Sequence, residues 1–151
     1  MDKVRLFLAH AVTLEREAAR RYEELAAAMQ TEGNAELQRF FARMARYSRK
    51  HLAEAMKRGA FREVPALKDE DAQWPDGLSP EVADWAGVDA QLDAAGALDV
   101  ALASERRGHA YYAMVAATSP DVEVRHLAQA FADEEAEHVA ELQRLIALRA
   151  A

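Results

Sequence analysis

Apolar residues recur at three- and four-residue spacing over four long segments of this sequence, and this periodicity constrains the fold more than any other feature. Such spacing places apolar side chains along one face of an α-helix. The predicted helices extend from about Lys3 to Gln30, from a cap at Asn34 to Gly59, from about Asp89 to Thr118, and from residues 119–121 almost to the C-terminus. Because glycine and proline are few and alanine is abundant, we predict an all-α protein.

Short turns join the first predicted helix to the second and the third to the fourth, which makes each pair an antiparallel hairpin. The sequence Ser-Pro-Asp at 119–121 predicts a cap and a proline at the first position of the fourth helix. Between the hairpins, at 3–59 and 89–149, lies a long connection at 60–88 that can span a helix of roughly 40 Å. We therefore predict a single domain over residues 1–151, an antiparallel four-helix bundle with one long crossover between helices two and three.

The two predicted hairpins repeat the same polar residues on otherwise apolar faces. The pairs are Glu15 with Tyr22 and Glu105 with Tyr112, each seven residues apart, and the helix after each pair carries His51 or His138. A buried carboxylate needs a compensating charge or a proton. A single glutamate on an apolar face is explained without a metal ion, as a neutral group or as one near a helix end. Glu135 adds a third carboxylate, and its i, i+3 spacing to His138 lets one helix offer two donors to the same ion. We therefore predict a metal site.

Composition narrows the chemistry of that site and the class of partner. The chain has no cysteine, so nitrogen and oxygen atoms must supply all metal ligands. Its 19 basic and 26 acidic residues give a net charge of −7, which disfavours a nucleic-acid partner. No apolar run approaches the length of a membrane span, so we expect no membrane association and a cytoplasmic location.

Three stretches carry a family resemblance: EREAARRY at 15–22, ERRGHAYY at 105–112 and EEAEH at 134–138. With these motifs the whole chain resembles the rubrerythrin-like branch of the ferritin-like superfamily, whose pattern is Glu, Glu-x-x-His, Glu, Glu-x-x-His on four successive helices. The resemblance implies terminal carboxylates at Glu15 and Glu105, a bridging carboxylate at Glu135, nitrogen ligands at His51 and His138, and tyrosines at Tyr22 and Tyr112 that hydrogen-bond the ligand carboxylates. It also implies one or two non-haem iron ions, with manganese and zinc as alternatives.

The sequence departs from the family pattern at one ligand position. Ser48 stands where the family has its other bridging glutamate, and a neutral hydroxyl is a poorer ligand for a hard divalent cation than a carboxylate. We expect one tight ion at Glu105, Glu135 and His138, and a weaker or vacant second position. The chain also lacks a cysteine-bearing rubredoxin-like domain, so electrons would come from an external donor protein.

Three further histidines are not among the predicted ligands. His109 lies one turn beyond Glu105 on the predicted inner face, which also includes Leu102, and is either a hydrogen-bonded core histidine or a substitute ligand. His10 and His126 are predicted at the surface.

The resemblance implies peroxide- or oxygen-dependent redox activity of the rubrerythrin peroxidase or ferroxidase kind, in a homodimer. One alternative is a non-catalytic bundle in which an incomplete metal site only stabilises the fold. The other is iron storage on the bacterioferritin pattern, which is disfavoured because Arg49 stands where a haem-ligating methionine is expected.

Overall fold

The computed structural model describes residues 2–67 and 92–150, which are helical over most of their length. The four helices are α1 (Lys3–Glu32), α2 (Ala35–Gly59), α3 (Ala94–Thr118) and α4 (Val122–Ala150). The described ranges contain no β-strand, so the predicted all-α class is confirmed. None of these helices is long and apolar enough to cross a membrane.

The chain divides into two compact units, Met1–Ser79 and Pro80–Ala151, and each contains one helical hairpin. We call them the first hairpin (α1 and α2) and the second hairpin (α3 and α4). Most of the predicted crossover falls on residues 68–91, outside the described ranges. The single-domain organisation therefore stays a prediction.

The ends of the helices in the first hairpin are set by local capping. The side chain of Asn34 accepts a hydrogen bond from the backbone N–H of Leu37 at 3.0 Å, so the predicted cap of α2 is confirmed. Gly33 ends α1 with a φ of 83°, a left-handed conformation that favours glycine. At the open end of the hairpin, Arg5 donates from Nε to the carbonyl of Gly59 at 2.9 Å and lies over the ring of Phe61. This contact joins the start of α1 to the end of α2, as an antiparallel pair requires.

The interior of the first hairpin is apolar apart from a few polar residues. Its largest fully buried apolar side chains are Leu8, Val12, Leu25, Met29, Phe41 and Met44. Within this core the ring of Tyr22 stacks on that of Phe41, with centroids 6.1 Å apart. The prediction that His10 lies at the surface is wrong, because His10 is only 2% exposed. Its Nδ1 donates to the carbonyl of Leu6 at 2.9 Å, and this bond within the helix makes burial of the ring tolerable.

The second hairpin begins and turns at different residues from those predicted. Asp93 caps α3 by accepting from the backbone N–H of Gly96, so the helix starts at Ala94 rather than near Asp89. At the turn, the Asp121 carboxylate accepts from the N–H of Val124 at 3.0 Å, and α4 starts after Asp121. The predicted proline at the first helical position is therefore wrong. Pro120 lies in the turn, where the Ser119 hydroxyl accepts from the N–H of Asp121.

The buried face of α3 is rotated from the predicted one and is formed largely by small residues. Leu102 and His109 are only half-buried. The buried residues of α3 are Ala94, Ala97, Leu98, Ala101, Ser104, Glu105, Gly108, Tyr111 and Tyr112. Within this face, Gly108 lies against Glu135 of α4.

The left-handed residue that ends α2 gives a stability prediction. Ala60 has a φ of 54°, where an L-residue with a Cβ is strained. We expect Ala60→Gly to raise the free energy of unfolding by about 1 kcal/mol in urea titrations followed by circular dichroism. The matched control, Ala53→Gly in the exposed interior of α2, should lower it by about 1 kcal/mol. A loss of similar size in both variants would contradict the strained cap.

Candidate metal centre

The second hairpin brings three predicted ligands together. Glu105 on α3 and Glu135 and His138 on α4 each offer one donor atom, and these atoms lie within 4.8 Å of one another. Glu105 is buried, and the two residues on α4 are half-buried. Their i, i+3 spacing places both side chains on the face of α4 that meets α3. Within the described ranges, no other group of three histidine or acidic residues has this proximity.

Glu105 and His138 lie close together in this cluster and form an ion pair when the imidazole is protonated. Oε2 of Glu105 lies 3.5 Å from Nδ1 of His138. Burial lowers the pKa of His138, but the close Glu105 carboxylate, together with the charges of Glu134 and Glu141, outweighs burial and raises it above its ordinary value. When no metal is bound, the imidazole therefore keeps its proton to a higher pH than an ordinary histidine does. A cation at the same place must displace that proton, which makes its affinity depend on pH.

Gly108 leaves space beside the Glu135 carboxylate. A Cβ added at Gly108 would lie 3.5 Å from Oε2 and 3.7 Å from Cδ of Glu135. The carboxylate therefore lies against the bare backbone of α3, one turn from Glu105. Gly108 was not predicted as part of the site, although a glycine between Glu105 and Tyr112 in a helical pattern was a usable signal.

Two adjacent tyrosines pack beside the cluster. Tyr112 is 1% exposed, and its ring centroid lies 5.3 Å from that of Phe131, one turn before Glu135 on α4. The ring of Tyr111 lies 5.4 Å from that of Tyr112, and burial raises the pKa of the Tyr111 hydroxyl. Because Tyr112 follows Glu105 by two turns, both side chains lie on the same face of α3. The hydrogen bond from Tyr112 to a ligand carboxylate stays a prediction.

The first hairpin repeats the Glu–His pair without the third donor. Oε1 of Glu15 lies 3.8 Å from Nδ1 of His51. Ser48, one turn before His51, is 6% exposed and occupies the position that Glu135 has in the second hairpin. Tyr22 follows Glu15 by two turns and stacks on Phe41 of α2. The two hairpins thus share a plan and differ in one carboxylate.

The remaining candidates lie outside the cluster. His109 is half-buried and does not belong to the group formed by Glu105, Glu135 and His138. Arg49 is exposed and forms an ion pair with Glu23 of α1.

Comparison with known proteins places the chain in a family. The family model for rubrerythrin matches residues 7–65, which include Glu15, Tyr22, Ser48 and His51. The chain also matches the crystal structure of an uncharacterised conserved protein from Magnetospirillum magnetotacticum MS-1, with 41% sequence identity and a TM-score of 0.75 over 93% of this chain and 91% of that one. The chain belongs to a rubrerythrin-like family of ferritin-like proteins. No curated protein matches the sequence.

For a rubrerythrin-like protein, the family implies a metal site, typically for iron. The donors of the second hairpin fit such an ion, because two carboxylates and one imidazole combine the hard oxygen and nitrogen ligands that divalent iron accepts. The predicted ferritin-like fold class is confirmed by the same comparison.

The raised pKa of His138 gives a pH prediction for the metal-free protein. We expect nuclear magnetic resonance to show His138 titrating above the ordinary value of about 6.5, and at lower pH in Glu105→Gln. Because the folded-state pKa is the higher one, the pair stabilises the fold fully below about pH 6.5, and this stability is lost as the pH rises through the folded-state pKa.

The control for that titration removes a carboxylate elsewhere on α4. Glu123→Gln, at an exposed position in the first turn, should leave the pKa of His138 unchanged. An equal shift in both variants would show that general charge, rather than the contact with Glu105, sets the pKa of His138.

Proposed function

We propose that the protein binds non-haem iron and that the second hairpin supplies its tight position through Glu105, Glu135 and His138. The supporting observation is the convergence of the three donor atoms within 4.8 Å. The two carboxylates balance the charge of one divalent ion, and deprotonated His138 adds a nitrogen ligand. Manganese and zinc have compatible ligand preferences and are the alternatives.

The first hairpin offers a weaker position at Glu15 and His51. Glu15 supplies the only carboxylate among these residues, and Ser48 adds only a neutral hydroxyl. A hard cation favours carboxylate oxygen over this donor, so we propose that a second ion binds less tightly there.

The proposed reaction is the reduction of hydrogen peroxide or oxygen. Two ferrous ions, one at each of the two proposed positions, would supply one electron each and become ferric. Reduction of one peroxide to two waters takes two electrons and two protons. Burial of Glu105 and Tyr112 keeps bulk water away from one side of the cluster, while the negative charges of Glu134 and Glu141 favour a proton on the imidazole of His138.

The electrons that return the iron to its ferrous form would have to come from another protein. The chain has no cysteine for an iron–sulfur or rubredoxin-like centre. We therefore propose an external electron donor protein. Separately, we propose that the protein works as a homodimer.

A non-catalytic metal-binding protein is the second candidate, and Ser48 is the observation that favours it. With one carboxylate missing, a single ion at the second hairpin would stabilise the fold without supporting a two-electron reaction. Bacterioferritin-like storage has less support, since Arg49 is exposed and paired with Glu23 where a haem ligand is expected. Gel filtration separates a dimer from a large storage cage.

Metal should stabilise the fold through the second hairpin. At a free Fe(II), Mn(II) or Zn(II) concentration of about 100 times the dissociation constant, the gain of about 2.7 kcal/mol corresponds to a rise in Tm of roughly 5–10 °C. We expect Glu135→Ala to abolish this rise. Glu137→Ala, at an exposed position two residues away on α4, should retain it. No rise with any of the three ions in the wild-type protein would refute the metal site.

Redox turnover separates the two candidate functions. Protein loaded with Fe(II) without oxygen should consume hydrogen peroxide and lose chelatable Fe(II), and with an added chemical reductant it should consume peroxide repeatedly. His138→Ala should slow this consumption at least tenfold, and Glu137→Ala should not. Stoichiometric iron binding without repeated peroxide consumption would favour the non-catalytic function.

A further inference from the structure

The outer face of α2 carries a row of basic side chains. This helix has seven basic and two acidic residues, a net charge of +5, whereas the whole chain has −7, so the rest of the chain has −12. Five of the basic residues follow one another at spacings of four, three, four and seven, which places them on one side of the helix. All five are exposed, and we call them the basic stripe: Arg39, Arg43, Arg46, Lys50 and Lys57.

Most of the stripe has no acidic neighbour to balance its charge. Within the described part of the chain, no acidic side chain forms an ion pair with Arg39, Arg46 or Lys50. Arg49, which lies outside the stripe, does pair, with Glu23 of α1. Positive side chains four residues apart on a helix, such as Arg46 and Lys50, repel each other and destabilise it. An acidic partner on this face would offset that repulsion.

The stripe lies across α2 from one of the two proposed metal positions. Ser48, two residues before Lys50, is on the opposite and buried side of the helix, and His51 approaches Glu15 at 3.8 Å. A helix with its side chains is about 10–12 Å across, so a molecule on the stripe is separated from that position by roughly one helix. Tyr47 is 44% exposed at the edge of the stripe and precedes His51 by one turn. The charged face is thus close to the Glu15–His51 pair.

This location suits the protein that delivers electrons. The proposed redox cycle needs an external donor, and protein pairs that exchange electrons meet through small interfaces. A positive stripe on an otherwise negative chain attracts an acidic surface to α2 and disfavours contact with the acidic remainder, which orients the encounter. Docking on the stripe would therefore bring the redox centre of the donor to the helix that carries His51.

We propose that the basic stripe is the docking surface for the external electron donor, and that this donor is a small one-electron carrier protein with an acidic surface around its redox centre. Each encounter transfers one electron from the reduced carrier to one ferric ion, so two encounters restore two ferrous ions, and no bond is made or broken. The inference rests on the proposed redox function, whereas docking itself needs no metal.

Docking is tested on the metal-free protein with oxidised flavodoxin as the acidic probe. At about 0.1 M ionic strength, where charges more than about 10 Å apart are largely screened, flavodoxin should shift the backbone amide resonances of residues 39–57 most. Arg46→Gln with Lys50→Gln should weaken binding about tenfold. The matched control, Arg16→Gln with Arg20→Gln, removes the same charge at the same spacing from exposed positions of α1 and should weaken it less than about twofold.

Three results would overturn the inference: equal weakening by the two double variants, amide shifts centred on another helix, or conversion of a homodimer into monomers by the Arg46 and Lys50 variant. The last would show that the stripe binds a second copy of the chain. The Tm of that variant should be unchanged or higher than that of the wild type, because it removes a repulsive pair. Weaker binding would then not come from unfolding.

Electron delivery gives a second readout. Ferric-loaded protein mixed with reduced flavodoxin should be reduced about tenfold more slowly in the Arg46 and Lys50 variant than in the wild type or the α1 control, and with a shallower dependence on salt. An uncharged hydroquinone should reduce all three proteins at the same rate, because that reaction needs no docking. Equal rates with flavodoxin in all three would overturn the inference.

The outcome for the docking surface can be told apart from that for the function. A protein that binds flavodoxin on α2 but binds no Fe(II) would refute the proposed function, while the docking surface would stand. Repeated peroxide consumption with the hydroquinone, but without flavodoxin bound at the stripe, would leave the function standing and overturn the inference.

Discussion

The burial of carboxylates between paired helices is the constraint on which the rest of the structure depends. Glu15 and Glu105 are each 6% exposed, and an ionised carboxylate is not stable in such a place without a partner. In both cases the partner is a histidine on the next helix, at 3.8 Å from Glu15 and 3.5 Å from Glu105. The register of each hairpin therefore has to satisfy apolar packing and this polar contact together. A shift of one turn along either helix would keep apolar residues on the facing side but separate the charges.

The parts of the fold that depend on neighbouring residues could be predicted from the sequence. Asn34 caps α2 and the helix ends at Gly59 as expected, since both ends depend on the backbone of the adjacent turn. The start of α4 was predicted wrongly, because Ser119 and Asp121 are both good caps and only the geometry shows that Asp121 reaches the N–H of Val124. The Glu–His pairs were predicted because the repeat places them on matching faces.

The sequence was less informative about the interior of the hairpins. The buried face of α3 includes Ala101, Ser104 and Gly108, and such small residues give a weak periodic signal. His10 was misplaced because its polar ring bonds a carbonyl of its own helix, a contact that no apolar pattern reveals. The space beside Glu135 is likewise a property of two helices together. Sequence periodicity thus predicted which residues form the candidate site but not how much room each has.

The turn at Ser119 that joins α3 to α4 also bears on how the site assembles. Glu105, Glu135 and His138 all lie on helices adjacent in the chain, so closing this short turn is the main entropic step needed to bring them together. Contacts between helices that follow each other along the chain form quickly during folding. The complete donor set is therefore available to a metal ion as soon as the second hairpin forms, and metal capture can accompany folding rather than follow it.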